Sequence, residues 1–145
     1  MKQFLTLALT FLMAAGLQAY GQAPASEERE KALFDSVDKI IERQTDLMDL
    51  ADWQIFRIDS MLVHDYKAMT AELEDLDKAK VSNFDIYTKA QDKWMEQIYN
   101  GYRKILNDEQ WEKYLKQGAA REKKARDKRA ARALASEAKL KEKTK

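Results

Sequence analysis

The only imidazole in the chain is His64, and a carboxylate, Asp65, follows it directly. That pair could transfer a proton or help hold a metal ion. Either task needs further acids, nucleophiles or ligands, and the sequence sets none beside it. There is no cysteine, which removes thiolate nucleophiles, thiolate metal sites and structural disulfides. No Gly-x-Ser-x-Gly, phosphate-binding loop or His-x-x-x-His occurs. The Asp and Glu residues are scattered over what read as helix faces. The sequence therefore names no catalytic residue, no metal ligand set and no cofactor, and the chain does not read as an enzyme.

Side-chain amides are the better-placed chemistry. In Leu106-Asn107-Asp108-Glu109-Gln110, Asn107 is a good helix cap, and Gln110 stands three residues on, where its amide can reach back to the cap's N–H. Asp108 and Glu109 put negative charge in the first turn, where the helix dipole favours it. A second copy lies at Leu50-Ala51-Asp52-Trp53-Gln54, its glutamine 56 residues earlier (110 − 54). Here Ala51 stands where the cap belongs, so Asp49 or Asp52 would have to replace it. Aromatics gather around these corners: Trp53, Phe56, Trp94, Tyr99, Tyr102, Trp111 and Tyr114. They either close the ends of a helical core or line an apolar surface for another protein.

The elements that would position these residues are helices. The chain has 145 residues, with four Gly and one Pro, too few turn formers for a multi-stranded sheet. A first helix capped by Ser26 carries the stripe Leu33, Val37, Ile40 and Leu47. A second, from about Asp52 to Lys80, carries Ile55, Ile58, Leu62, Tyr66, Met69, Leu73 and Leu76. After a turn at Val81-Ser82-Asn83, with Ser82 or Asn83 as cap, a third carries Phe84, Tyr87, Trp94, Ile98, Tyr102 and Ile105. Gly101 in that helix either permits a close helix contact or marks fraying. A fourth helix starts at Asn107 and soon loses its apolar face.

The two ends of the chain differ in character from its middle. Lys2, the apolar run Phe4 to Leu17 and the small residues Ala19 and Gly21 match an export signal spanning residues 1–21. Cleavage before Gln22 fits the pattern, and cleavage before Tyr20 is the alternative. Residues 22–115 form the helical domain, with thirteen Lys/Arg against twenty-one Asp/Glu, a net of −8. Residues 116–145 hold twelve against four, a net of +8; with Lys2 this makes the total of +1. An acidic body thus carries a basic tail, read as a solvated helix with little to bury.

The two Leu-x-x-x-Gln stretches resemble the LTxxQ motif of the Spy/CpxP family of periplasmic proteins, with Asn or Ala in place of Thr. Members carry two such motifs, a signal peptide and an all-helical mature domain. The resemblance implies ATP-independent chaperoning or envelope-stress adaptation, with unfolded client proteins or an envelope sensor protein as partners, commonly through a curved homodimer. The expectation is an all-α, elongated bundle of about four helices, or a curved antiparallel dimer, exported to the periplasm. Leu50, Gln54, Leu106, Asn107 and Gln110 would set the helix corners, and Trp53, Phe56, Trp94, Tyr102 and Trp111 would be the apolar anchors for a partner. No nucleic acid is expected, and any membrane contact would be peripheral. The alternative is a structural envelope-associated protein whose basic tail docks on anionic lipid or polymer.

Overall fold

A computed structural model describes residues 26–143, so the stretch read as an export signal and the linker after it lie outside the described residues. Every regular element among the described residues is helical, and the chain folds as an all-α bundle. Helix α1 spans Ser26–Met48, with Glu27 and Glu28 in its first turn, as the dipole favours. It buries Leu33, Val37, Ile41 and Met48. Expected core positions Ile40 and Leu47 are displaced by their neighbours: Ile40 is half-buried and Leu47 is exposed. The inward face runs at spacings of four, four and seven, and adjacent apolar residues cannot both occupy it. Asp49 ends the helix in the left-handed region, φ 53°, and its N–H donates to the Thr45 carbonyl at 2.8 Å.

Helix α2 spans Asp52–Lys78 and turns Gln54, Ile58, Leu62, Asp65 and Met69 inward. Lys80 then takes φ 54°. Its N–H donates to the Asp77 carbonyl at 2.8 Å, and the Val81 N–H donates to that of Leu76 at 3.1 Å. This pair of bonds is the Schellman closure, with lysine where glycine is usual.

Helix α3 spans Phe84–Ile105; Asn83, one of the two expected caps, accepts from the Asp85 N–H at 2.9 Å. It buries Ala90, Ile98 and Tyr102, while Phe84 is exposed and lies off the core stripe. Gly101 is a point of close approach rather than of fraying. A Cβ there would lie 2.1 Å from the Met61 Sδ on α2.

Beyond Leu106 the chain turns into α4, Asp108–Tyr114, then a π-helical turn over Leu115–Ala119 and α5, Ala120–Lys143. Gly118, at φ 115° and ψ −11°, kinks this path, a conformation that favours glycine because it has no Cβ. The core gathers α1, α2 and α3 around Val37, Ile58, Leu62, Ile98 and Tyr102, with Leu50 and Leu106 at its corner end. Fully burying a side chain such as Ile58 or Leu62 is worth about 1.5–3 kcal/mol.

The start of α5 is docked rather than free. Arg129 donates to both oxygens of Asp92 on α3, at 2.7 Å each. Arg126, which is buried, donates to Glu96 from Nε at 3.3 Å and from Nη2 at 3.2 Å. Lys123 pairs with the same Glu96 at 3.4 Å. Past Arg129 every described residue of α5 is exposed, as expected for the whole tail. None of the described helices is long and apolar enough to cross a membrane.

Candidate functional site

The two motif copies meet. Gln54 and Gln110 both lie inside the fold and exchange amide hydrogen bonds. Gln54 Nε2 donates to Gln110 Oε1 at 2.7 Å, and Gln110 Nε2 donates to Gln54 Oε1 at 3.0 Å. Each oxygen also accepts the backbone N–H of its own helix cap, Ala51 at 3.0 Å and Asn107 at 3.1 Å. Each nitrogen reaches across to the carbonyl just before the other copy's leucine: Gln54 to Ile105 at 3.1 Å, and Gln110 to Asp49 at 3.4 Å. Gln110 Nε2 also approaches the Met48 carbonyl at 3.3 Å. The result is a local two-fold arrangement that ties the α1–α2 corner to the α3–α4 corner. The backbone partners fix which end of each amide is oxygen, because a flipped amide would set donors against the cap N–H groups.

The copies differ at the cap. Asn107 completes its box, its Oδ1 accepting the Gln110 N–H at 2.9 Å. Ala51 is itself the N-cap residue of α2, with φ −72° and ψ 154°, and neither Asp49 nor Asp52 replaces it. Alanine has no acceptor, so only the glutamine half of that box forms. Leu50 and Leu106 flank the pair from equivalent positions, both buried.

Because Gln54 points inward, its neighbours must point out. Residues 53 and 56 lie about 100° and 160° round the helix from it. Trp53 is 58% exposed and Phe56 72% exposed, one turn apart on the first turns of α2. Leu47, 45% exposed, is on the last turn of α1 at the same corner. Asp46, Asp49, Asp52 and Arg57 make the neighbouring surface charged.

The remaining anchors expected from sequence behave differently. Tyr102 is a core residue, 2% exposed, and its hydroxyl donates to Gln44 Oε1 at 2.7 Å; in this fold it is not available to a partner. Trp94 is half-buried and pinned, its Nε1 donating to Glu72 Oε2 at 2.6 Å while Lys93 pairs with the same carboxylate. Hydrogen bonds from Lys93 and Trp94 hold the Glu72 carboxyl below the usual carboxylate range. Trp111 belongs to a ring cluster: 4.9 Å edge-on to Tyr99 and 5.4 Å stacked on Tyr114, which stacks on Tyr102 at 4.5 Å. The Arg103 guanidinium lies over the Trp111 indole, 5.4 Å from the ring centroid. Burial pushes the phenols of Tyr66 (to about 12), Tyr102 and Tyr114 upward, which marks these rings as packing groups.

The side chains of His64 and Asp65 meet. Asp65 is buried and accepts from Gln97 Nε2 at 2.7 Å, with His64 Nδ1 2.8 Å away. The imidazole itself is 74% exposed. Among the described residues no cluster of three or more His, Asp or Glu is arranged to hold a metal ion.

Sequence reasoning missed the partners that complete these networks: Gln44 for Tyr102, Gln97 for Asp65, and Glu96 and Asp92 for the basic tail. No local spacing signals them, since each pair is joined across helices. Compared with known proteins, the chain matches no family model, no curated protein and no solved structure.

Proposed function

We propose that this protein is an exported protein-binding module, chaperone-like or adaptor-like in the manner of the Spy/CpxP proteins its two motifs resemble. The observation that carries the reading is the exposed Trp53–Phe56 pair, set on the rigid corner made by Gln54 and Gln110. A tryptophan and a phenylalanine on one outward face are costly to leave in water, and large aromatics dominate the energetics of protein interfaces. The surrounding carboxylates suit a rim: they keep the free protein soluble and favour clients with exposed apolar and basic segments. The Gln54–Gln110 pair holds the first turn of α2 in place, so little ordering is left for a partner to offset.

The test is suppression of aggregation by an unfolding client. At stoichiometric amounts the protein slows client light scattering, and Trp53→Ser/Phe56→Ser removes most of that effect while leaving helix content unchanged. If the unsubstituted protein leaves the aggregation of every client tried at its spontaneous rate, chaperone-like binding is refuted. A pull-down of one envelope sensor in place of clients would favour the adaptor form.

A further inference from the structure

The cations of α5 divide between two faces of the helix. Lys123, Arg126 and Arg129 are spent inside the molecule, paired with Glu96 and Asp92 of α3. Lys124, Lys128, Arg132, Lys139 and Lys143 are all exposed, and among the described residues none of them is in an ion pair. At 3.6 residues per turn these five fall within an arc of about 100°, centred about 150° round the helix from the docked face. They extend over about 28 Å of helix. Glu142 lies at the edge of the arc, so the stripe carries a net of +4 (five cations less one carboxylate). Ala131, Leu134 and Ala138 border it on one side, with Leu134 67% exposed.

We propose that this outward stripe of α5 docks the protein on an anionic phospholipid surface. The two docked arginines and Lys123 fix the helix so that the stripe faces away from the acidic body. Because the whole chain carries a formal charge of only +1, attraction to an anionic plane comes from the stripe, and it orients the molecule with its body outward. A flat charged surface meets all five cations at once along a straight helix. The bordering Leu134 and small alanines allow that face to rest against the interface. The stripe has no aromatic to stack on a base and is bordered by the exposed Leu134, so a lipid surface fits better than nucleic acid. This inference stands apart from client binding at Trp53 and Phe56, which lie on the first turns of α2.

The experiment is co-sedimentation of the chain from Gln22 to Lys145, which keeps all described helices and omits the apolar run of the export signal. The probes are vesicles of phosphatidylcholine alone, the same vesicles containing phosphatidylserine, and duplex DNA. Binding to the anionic vesicles only is expected, weakened steeply as NaCl rises from about 50 mM to about 500 mM. Each cation near such a surface contributes about fivefold in affinity, so Lys124→Gln/Lys128→Gln/Arg132→Gln weakens binding about 100-fold. Lys31→Gln/Lys39→Gln/Arg43→Gln on α1, with the same change in net charge, leaves vesicle binding within about twofold if the stripe rather than overall charge is responsible. Circular dichroism verifies that both variants keep their helices. Equal binding to neutral vesicles, equal loss in both triple variants, or no binding to anionic vesicles at low salt overturns the proposal. Stripe-dependent binding to DNA without binding to vesicles overturns the lipid assignment and makes the partner a nucleic acid.

Discussion

At the scale of single residues, the two glutamines carry more of the architecture than any ion pair. Each satisfies a helix-cap N–H and a carbonyl of the opposite corner while closing an amide ring with the other. Replacing either one strands its partner's amide and two backbone groups in a buried place, where an unpaired polar group costs about 1–3 kcal/mol. Gln54→Ala and Gln110→Ala should therefore each lower the unfolding free energy by about 3 kcal/mol. The double variant should lose much less than the sum, with a coupling above about 1 kcal/mol in urea unfolding. A sum within error of additive would mean that the pair does not act as a unit. Thr45 is the opposite case: its Oγ1 is the buried side-chain polar atom without a partner among the described residues. Thr45→Val keeps the shape, removes that orphan and should leave stability unchanged or raised by up to about 1 kcal/mol.

At the scale of elements, the helix ends decide where the site sits. The α3–α4 corner has a full capping box and the α1–α2 corner only half of it, because Ala51 offers no acceptor. Ala51→Asn supplies the missing half and should raise stability by about 1 kcal/mol, whereas Asn107→Ala should lower it by a similar amount. Lys80 holds a left-handed conformation that a Cβ makes unfavourable, so Lys80→Gly should stabilise by about 1 kcal/mol. Thermal unfolding of the three variants checks all of these signs. Much of this level was legible in sequence: the four helical segments, the cap at Asn107, Asn83 as one of two candidate caps, and both Leu-x-x-x-Gln corners. Core choice between neighbours was not, as at Ile40 against Ile41 and Leu47 against Met48. A stripe read from spacing tolerates a one-residue rotation, and only packing against the next helix selects between them. Tyr102 lay in the sequence-read stripe of α3 and also resembled an anchor; the hydrogen bond to Gln44, 58 residues away, settles it in the core. The meeting of Gln54 with Gln110 needed a tertiary contact that spacing alone does not supply, although the repeated leucine–glutamine spacing was its visible trace.

At the scale of the whole molecule, an acidic helical body carries a docked basic helix and presents its aromatic pair at one corner. The buried phenols link this packing to pH. Burial raises the folded-state pKa of Tyr66 to about 12, above the ordinary phenol value of 10.0, and those of Tyr102 and Tyr114 move the same way. A raised pKa means that stability is fully present below pH 10 and falls as the pH climbs through the folded value. Between about pH 10 and pH 12 the unfolding free energy should decline, and ionisation of these tyrosines, followed near 295 nm, should coincide with loss of helix. Ionisation of all six tyrosines of the chain by pH 10 with the helices intact would contradict the burial of these three. The most direct measurement of the central claim is the mass, by light scattering, of the protein mixed with an unfolding client, with Trp53→Ala/Phe56→Ala measured beside it. A defined soluble complex that the double substitution abolishes, while the fold and the Gln54–Gln110 corner stay intact, is the predicted result. A protein that stays at its own mass in the presence of client, or a complex that forms equally well without Trp53 and Phe56, would contradict it.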